Sequence, residues 1–273
     1  MSVRVAASAW FCFGVDRAVG LVEQTVREGK RAVTLGPIIH NHHVVQHFAA
    51  LGVREVASPA DVPEGSVVFI RSQGVSRAVY EALQAHGLEI IDPTCPFVSR
   101  IHRIVQDAQA NGPQPLIIDT PEHPEVVAIA GWCRHPLVFP DGEALQKWLD
   151  DDPKRHDLPF TMVSQTTSTQ FLWDSCKKIA KKVCTNLEFF DTICKATENR
   201  QAEAAALAAQ CDAMIVVGDR KSSNTGRLAH ICAAHCPQVF LVDNASELDL
   251  SKLRQAGTIG ITAGASTPAW IIK

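Results

Sequence analysis

Cys12, Cys95 and Cys194 each sit where an apolar run gives way to a helical pattern. Leu88 to Cys95 reads LEIIDPTC, and Leu187 to Cys194, 99 positions later, reads LEFFDTIC. Cys12 follows VRVAASAW and precedes GVDRAVGLVEQTV. Three strand-to-helix corners with one thiol apiece point to a site assembled from three similar units. Thiolates drawn from separate modules suit either zinc with an open position or an iron–sulfur cluster. On a four-iron cubane, three cysteines leave one iron without a protein ligand, free to act as a Lewis acid on a substrate oxygen. A single cysteine in a globular chain is ordinarily a small buried hydrophobe. Cys133, Cys176, Cys184, Cys211, Cys232 and Cys236 lie in apolar patterns and are read that way. Cys232 and Cys236 have helical metal spacing, but the sequence around them offers no further ligands.

The other polar corners fall into two sets of three. After an early strand come PIIHNHHVV with His40, DTPEHPEVV with His123 and Glu125, and GDRKSSNTGRL with Ser222, Ser223 and Asn224. After a late strand come FIRSQGVSRAV with Gln73, TMVSQTTSTQF with Thr166 and Thr167, and GITAGASTPAW with Ser266. His40 and His123 are 83 apart, as are Cys12 and Cys95; His123 and Ser223 are 100 apart, against 99 for Cys95 and Cys194. Taken singly, Ser, Thr and Asn at such places are plain helix caps. Six of them in register with three thiols define a shared cavity. Ring nitrogens, hydroxyls and helix N-termini there suit a phosphorylated ligand, and Glu125 is the proton carrier in a pocket poor in acids. His42, His43 and His47 are read as decorating a helix, where a lone histidine is solvated or capping.

These corners need elements to hold them. Short apolar strands alternate with amphipathic helices, which implies βαβ units and mostly parallel sheets, with ligands at the carboxyl ends of the strands. The spacing divides the 273 residues into an α/β unit at 1–96, a second at 97–193 and a third at 194–273, related by pseudo-threefold symmetry about a central thiol-lined site. A formal charge of −3 gives no basic face, which argues against nucleic acid as a partner. There is no run of eighteen apolar residues and no secretory start, so the expectation is a cytoplasmic protein without a membrane partner. Nine cysteines without a C-x-x-C pair argue against a disulfide framework or a zinc ribbon.

From about Val3 onward the chain resembles the 4-hydroxy-3-methylbut-2-enyl diphosphate reductases of the non-mevalonate isoprenoid pathway. The matching pieces are FCFGVDRAV, IIHN, DPTCP, HPEV, SQTT, ATENRQ, SSNTGRL and TAGAS, in that order. The resemblance implies three α/β domains around one 4Fe–4S cluster, and reductive removal of an allylic hydroxyl to give isopentenyl and dimethylallyl diphosphates. It further implies that Cys12, Cys95 and Cys194 hold the cluster and that Glu125 delivers protons. His40, His123, Ser222, Ser223, Asn224 and Ser266, with Gln73, would hold the diphosphate, and Thr166 or Thr167 would order the substrate hydroxyl or a water. The expected partners are the small allylic diphosphate and an external electron donor such as reduced ferredoxin or flavodoxin. Three departures stand out: Gln73 where the family has His, Trp10 where it has Gly, and an end at Lys273 within a helical pattern that relatives continue. A related three-domain iron–sulfur enzyme with another substrate, and a non-catalytic iron–sulfur sensor, are the competing readings. Glu125 speaks against the sensor, which needs no proton donor.

Overall fold

The central strands are apolar on both faces, and a strand of that kind is stable only in a sheet covered on both sides. In the computed structural model, which describes residues 1–272, these runs form three four-stranded parallel sheets. Lys273 lies outside the described residues. One sheet contains β2 (Ala32–Leu35), β3 (Arg54–Val56), β4 (Val67–Phe69) and β5 (Glu89–Ile91), in the order β3-β2-β4-β5. The next repeats this plan with β6 (Gln114–Ile118), β7 (Leu137–Phe139), β8 (Phe160–Ser164) and β9 (Leu187–Phe189), in the order β7-β6-β8-β9. The last has β10 (Ala213–Val217), β11 (Val239–Val242) and β12 (Thr258–Ala263), and its fourth place goes to the N-terminal strand β1 (Ser2–Val5). The expected α/β architecture of three similar units is therefore present.

The position of β1 corrects one expectation. The strand near Val3, read as part of the unit at 1–96, pairs with β12 through Val3 opposite Ile259 and Val5 opposite Ile261. It belongs to the third sheet, as the counterpart of β5 and β9. A strand's own pattern sets its faces but does not name its neighbour, so the sequence left this pairing open.

The helices explain why three distant cysteines meet. On α1 (Phe13–Arg27), Val15, Ala18, Val19 and Val22 recur at helical spacing and pack on Ala32, Val67 and Phe69 of the first sheet. Each such valine, fully buried, contributes about 1.5–3 kcal/mol, so Val22→Asp would destabilise the docking of this helix. On α4 (Pro96–Asn111), Ile101 and Val105 pack on Ile117 and Val163 of the second sheet. On α8 (Lys195–Ala208), Ala204 and Ala208 pack on Met214 and Val216 of the third. Each of these helices follows the edge strand of one sheet and covers the next. Cys12, Cys95 and Cys194 are their N-cap residues, so every cysteine marks a crossing between units.

Candidate functional site

The three crossings repeat one backbone hydrogen bond. The Cys95 amide donates to the Ser72 carbonyl at 3.0 Å, Cys194 to Thr166 at 2.9 Å, and Cys12 to Ala265 at 3.1 Å. Each bond ties the outgoing chain to the corner after the sheet's adjacent central strand, β4, β8 or β12. The cysteines therefore turn inward around a central cavity. That cavity is lined by every residue expected from the sequence: Cys12, Cys95, Cys194, His40, His123, Gln73, Glu125, Thr166, Thr167, Ser222, Ser223, Asn224 and Ser266. Trp10 is not among the lining residues; its indole is 41% exposed and donates to the Ala7 carbonyl at 2.8 Å, so it adds no bulk inside.

All three thiols are free and partly buried. Burial pushes Cys95 up to about 11 and raises Cys194, and each feels the charge of Cys12 nearby. The amides of Phe97 and Val98 face the Cys95 sulfur, and those of Ala196 and Thr197 face Cys194, without closing a capping hydrogen bond. Thiols so placed become thiolates only against a strong positive charge, which bound metal supplies. Gly14 belongs to the same geometry: a Cβ there would lie 2.6 Å from Cys95 Sγ. The donor set fits a metal–sulfur centre with three protein ligands.

Glu125 enters from the first turn of α5 (Pro124–Ala130) and is 3% exposed. Its Oε1 accepts from the Thr166 amide at 2.6 Å and its Oε2 from the Thr166 hydroxyl at 2.8 Å. Burial pushes the carboxyl up to about 7; the Thr166 bonds pull the other way, and Asp119 adds a smaller upward push. Near neutrality the acid is thus poised between its two forms. His123 caps α5 by accepting from the Glu125 amide at its Nδ1, 3.1 Å, so the ring proton sits on Nε2. Gln165 lies 3.2 Å from that Nε2 with its amide nitrogen, while its Oε1 is buried and unpaired among the described residues. With the amide's O and N exchanged, the ring Nε2–H donates to the Gln165 side-chain oxygen.

The opposite wall is made of neutral donors. Burial, with the positive charge of Arg71 next, lowers His40; burial, then His40, lowers His123 to about 4. Both rings are neutral at pH 7, and their centroids are 5.9 Å apart. His40 Nε2, Asn224 Nδ2 and Gln73 Oε1 have no hydrogen-bond partner among the described residues. Asn224 Oδ1 accepts from the Ala265 amide at 3.0 Å, which fixes the side chain. Ser266 donates to the His40 carbonyl at 2.9 Å and so joins the third unit to the first. Ser222 caps α9 (Ser223–Ala233), whose first-turn amides open toward the same space.

Sequence reasoning missed three supporting groups. Asp119 has φ 148°, in a place where the other units carry Gly36 and Gly218; the amides of all three donate to Val56, Phe139 or Val242. A non-glycine residue there costs about 1–3 kcal/mol. In return the carboxylate meets Arg227 of α9, which also donates to the Thr167 carbonyl, pinning the second unit to the third beneath Glu125. Arg200 of α8 is 3% exposed and donates to the carbonyls of Ser8, Trp10 and Ala263, the latter two at 2.9 Å, which holds the loop that ends in Cys12. Both arginines lie inside motifs already noted, SSNTGRL and ATENRQ, but sequence alone gives no partner for either. Of the histidines read as decorating a helix, His42 is exposed and His43 half-buried, and both rings approach carboxylates of the third unit.

The LytB protein family model matches residues 3–273. The 4-hydroxy-3-methylbut-2-enyl diphosphate reductase of Alkaliphilus oremlandii is 38% identical over 279 residues, covering all of this chain and 96% of its own. The protein of the same name from Clostridioides difficile is 37% identical over 278 residues, covering 100% and 97%. A solved structure of (E)-4-hydroxy-3-methyl-but-2-enyl diphosphate reductase, the terminal enzyme of the non-mevalonate pathway, superposes with a TM-score of 0.73 at 34% identity, covering 100% and 96%. The structure of the E-1-hydroxy-2-methyl-but-2-enyl-4-diphosphate reductase from Plasmodium falciparum gives 0.92 at 26% identity, covering 99% and 85%. With the whole chain matched and the three-sheet plan shared, this chain belongs to the LytB protein family.

Proposed function

We propose that this chain is a 4-hydroxy-3-methylbut-2-enyl diphosphate reductase. The reaction exchanges an allylic C–OH for C–H, consuming two electrons and two protons and releasing water, to give isopentenyl and dimethylallyl diphosphates. The observation that carries the reading is the meeting of three N-cap cysteines, one poised carboxylic acid and a wall of neutral donors in a single cavity. The units are assigned boundaries near residues 96 and 193, with β1 counted in the third.

Cys12, Cys95 and Cys194 would hold one 4Fe–4S cluster. When bound, it supplies electrons and, at the iron without a protein ligand, Lewis acidity. The chain's own residues do the rest. His40, His123, Gln73, Ser222, Ser223, Asn224 and Ser266 bind the diphosphate through neutral hydrogen bonds and the N-terminus of α9. Glu125, near its midpoint at neutral pH, gives its proton in the direction of Thr166, and Thr166 or Thr167 orients the leaving hydroxyl or a water. Neutral histidines keep the diphosphate wall from competing as an acid. The electrons come from an external donor of the reduced ferredoxin or flavodoxin class. Free thiols at Cys12, Cys95 and Cys194 suit the reducing cytoplasm. Among the described residues no helix is long and apolar enough to cross a membrane.

The test is anaerobic turnover of the allylic diphosphate by the iron-loaded protein with a chemical reductant. Formation of the two five-carbon diphosphates supports the reading. A loaded protein that binds the substrate without converting it would point to a sensor, and conversion of other substrates only would point to a related enzyme.

A further inference from the structure

At the cavity's rim, outside the lining residues, a second cluster of metal-binding side chains spans two units. His42 and His43 open α2 (His42–Ala50) of the first unit, directly after His40 and Asn41. Asp243 follows the end of β11, and Asp219 follows β10, both in the third. Asp243 Oδ2 lies 3.0 Å from His42 Nε2 and 3.3 Å from His43 Nε2. The ligand atoms of His42, His43 and Asp243 all fall within 4.8 Å of one another. A tetrahedral zinc ion with bonds of about 2.0–2.1 Å spaces its ligand atoms roughly 3.3 Å apart, close to the two histidine–Asp243 separations.

Hydrogen bonding leaves the cluster incomplete. His43 Nε2 and Asp243 Oδ1 are buried atoms without a hydrogen-bond partner among the described residues. Two imidazoles converge on one carboxylate oxygen. The remaining nitrogen of His42, Nδ1, faces Asp219 Oδ2 at 3.5 Å. Asp219 is fixed in turn: its Oδ2 accepts from the His42 amide at 3.1 Å and its Oδ1 from the Lys221 amide at 2.8 Å. A carboxylate behind a histidine, orienting the ring so that its other nitrogen points forward, is the arrangement that supports metal-bound imidazole.

We propose that His42 Nε2, His43 Nε2 and the Asp243 carboxylate form a divalent transition-metal site of the zinc class, with Asp219 orienting His42, that ties the first unit to the third beside the central cavity. Two nitrogens and one oxygen suit zinc and leave a coordination position for water. The site stands on its own ligands and holds whether or not the reductase reading does.

The test uses the iron-loaded protein, so that the three cavity cysteines are occupied, and zinc chloride as the probe. Equilibration and desalting should leave one zinc per chain, and zinc-edge X-ray absorption should show nitrogen and oxygen neighbours with imidazole scattering and no sulfur. His43→Ala and Asp243→Asn should lose that zinc, and Asp219→Asn should weaken binding about 10- to 100-fold. Zinc should also raise the melting temperature of the unaltered protein, by an amount that grows with the logarithm of its concentration above Kd, but not that of Asp243→Asn. Unchanged zinc uptake by Asp243→Asn, a sulfur shell, or no retained zinc would each overturn the site. If a variant fails to fold, the absorption spectrum of the unaltered protein decides the matter by itself.

Discussion

The corners after β4 and after β8 hold equivalent places in two sheets, yet they carry different chemistry. Both give a backbone carbonyl to a cysteine amide, Ser72 to Cys95 at 3.0 Å and Thr166 to Cys194 at 2.9 Å. Beyond that bond they part. The second corner uses Thr166 to grip Glu125 with two hydrogen bonds, over the Arg227–Asp119 ion pair. The first presents Gln73, whose side-chain oxygen is buried without a partner among the described residues, and no acid of its own. The repeated fold thus supplies three thiols by one backbone device, while side chains grafted on each corner make the site asymmetric. That asymmetry suits the proposed proton delivery by Glu125: one acid on one side, donors on the other.

The largest expected effects fall on what the corners share. Cys95→Ser and Cys194→Ser should each abolish cluster retention to a similar degree, read as iron content and lost visible absorption after anaerobic loading. Full iron retention in either variant would remove that cysteine from the ligand set. Gly14→Ala should approach the same outcome by a different route, because its Cβ would stand 2.6 Å from Cys95 Sγ, inside contact distance. Overpacking of this kind costs about 1–3 kcal/mol, visible as a lowered Tm together with poor iron loading.

Next in size is the feature confined to the second corner. Glu125→Gln keeps shape and hydrogen bonding but cannot give up a proton, so turnover should fall about 10²- to 10⁴-fold with substrate binding retained. A rate near that of the unaltered protein would take Glu125 out of the mechanism. The stability profile offers an independent check. The folded Glu125 carboxyl sits at about 7, above its ordinary 4.5, so the folded state binds the extra proton between those values. Its contribution is complete below about pH 4.5 and is lost as pH rises toward 7, at up to about 1.4 kcal/mol per pH unit. His40, His102 and His123 are lowered by burial and act in the opposite sense, losing stability as pH falls below 6.5. The difference between the two proteins' stability curves isolates Glu125: Glu125→Gln should gain relative to the unaltered protein from pH 4.5 to 7. A flat difference would mean the acid titrates normally.

Much of this was legible in the sequence, and the gaps have physical causes. Apolar runs of four to six residues and helical repeats located most elements, and the 99-residue echo of LEIIDPTC located the units. β3 was missed because Arg54 and Glu55 give it no apolar pattern. β1 was grouped with the wrong sheet because strand patterns do not encode neighbours. The cavity residues were found through their register, which a threefold repeat makes redundant. Asp119, Arg227 and Arg200 were not, since each acts through a partner about 60 to 190 positions away. Asp119 did leave a trace: it occupies a position that the other units give to Gly36 and Gly218, and a lone departure from a glycine pattern marks a strained backbone.

The smallest effect, and the sharpest test of the comparison, concerns Gln73 itself. Its amide can give the diphosphate only a neutral hydrogen bond, whereas an imidazolium there would make a charge-assisted one, roughly twice as strong. The difference is about 1–2 kcal/mol, or roughly 5- to 30-fold in affinity. A new histidine would stand in the same cavity as His40 and His123, which burial already keeps neutral near pH 7. Gln73→His should therefore change little at pH 8, and should tighten diphosphate binding or speed turnover progressively as pH falls to 6. That pH-dependent gain would mean the first corner is a weakened version of a charged one. Kinetics that are unchanged or worse from pH 6 to 8 would mean instead that the wall has been rebuilt around neutral donors. The substrate assignment would then need direct testing against other allylic diphosphates, because a pocket retuned at that corner has lost the simplest reason for its departure from the family.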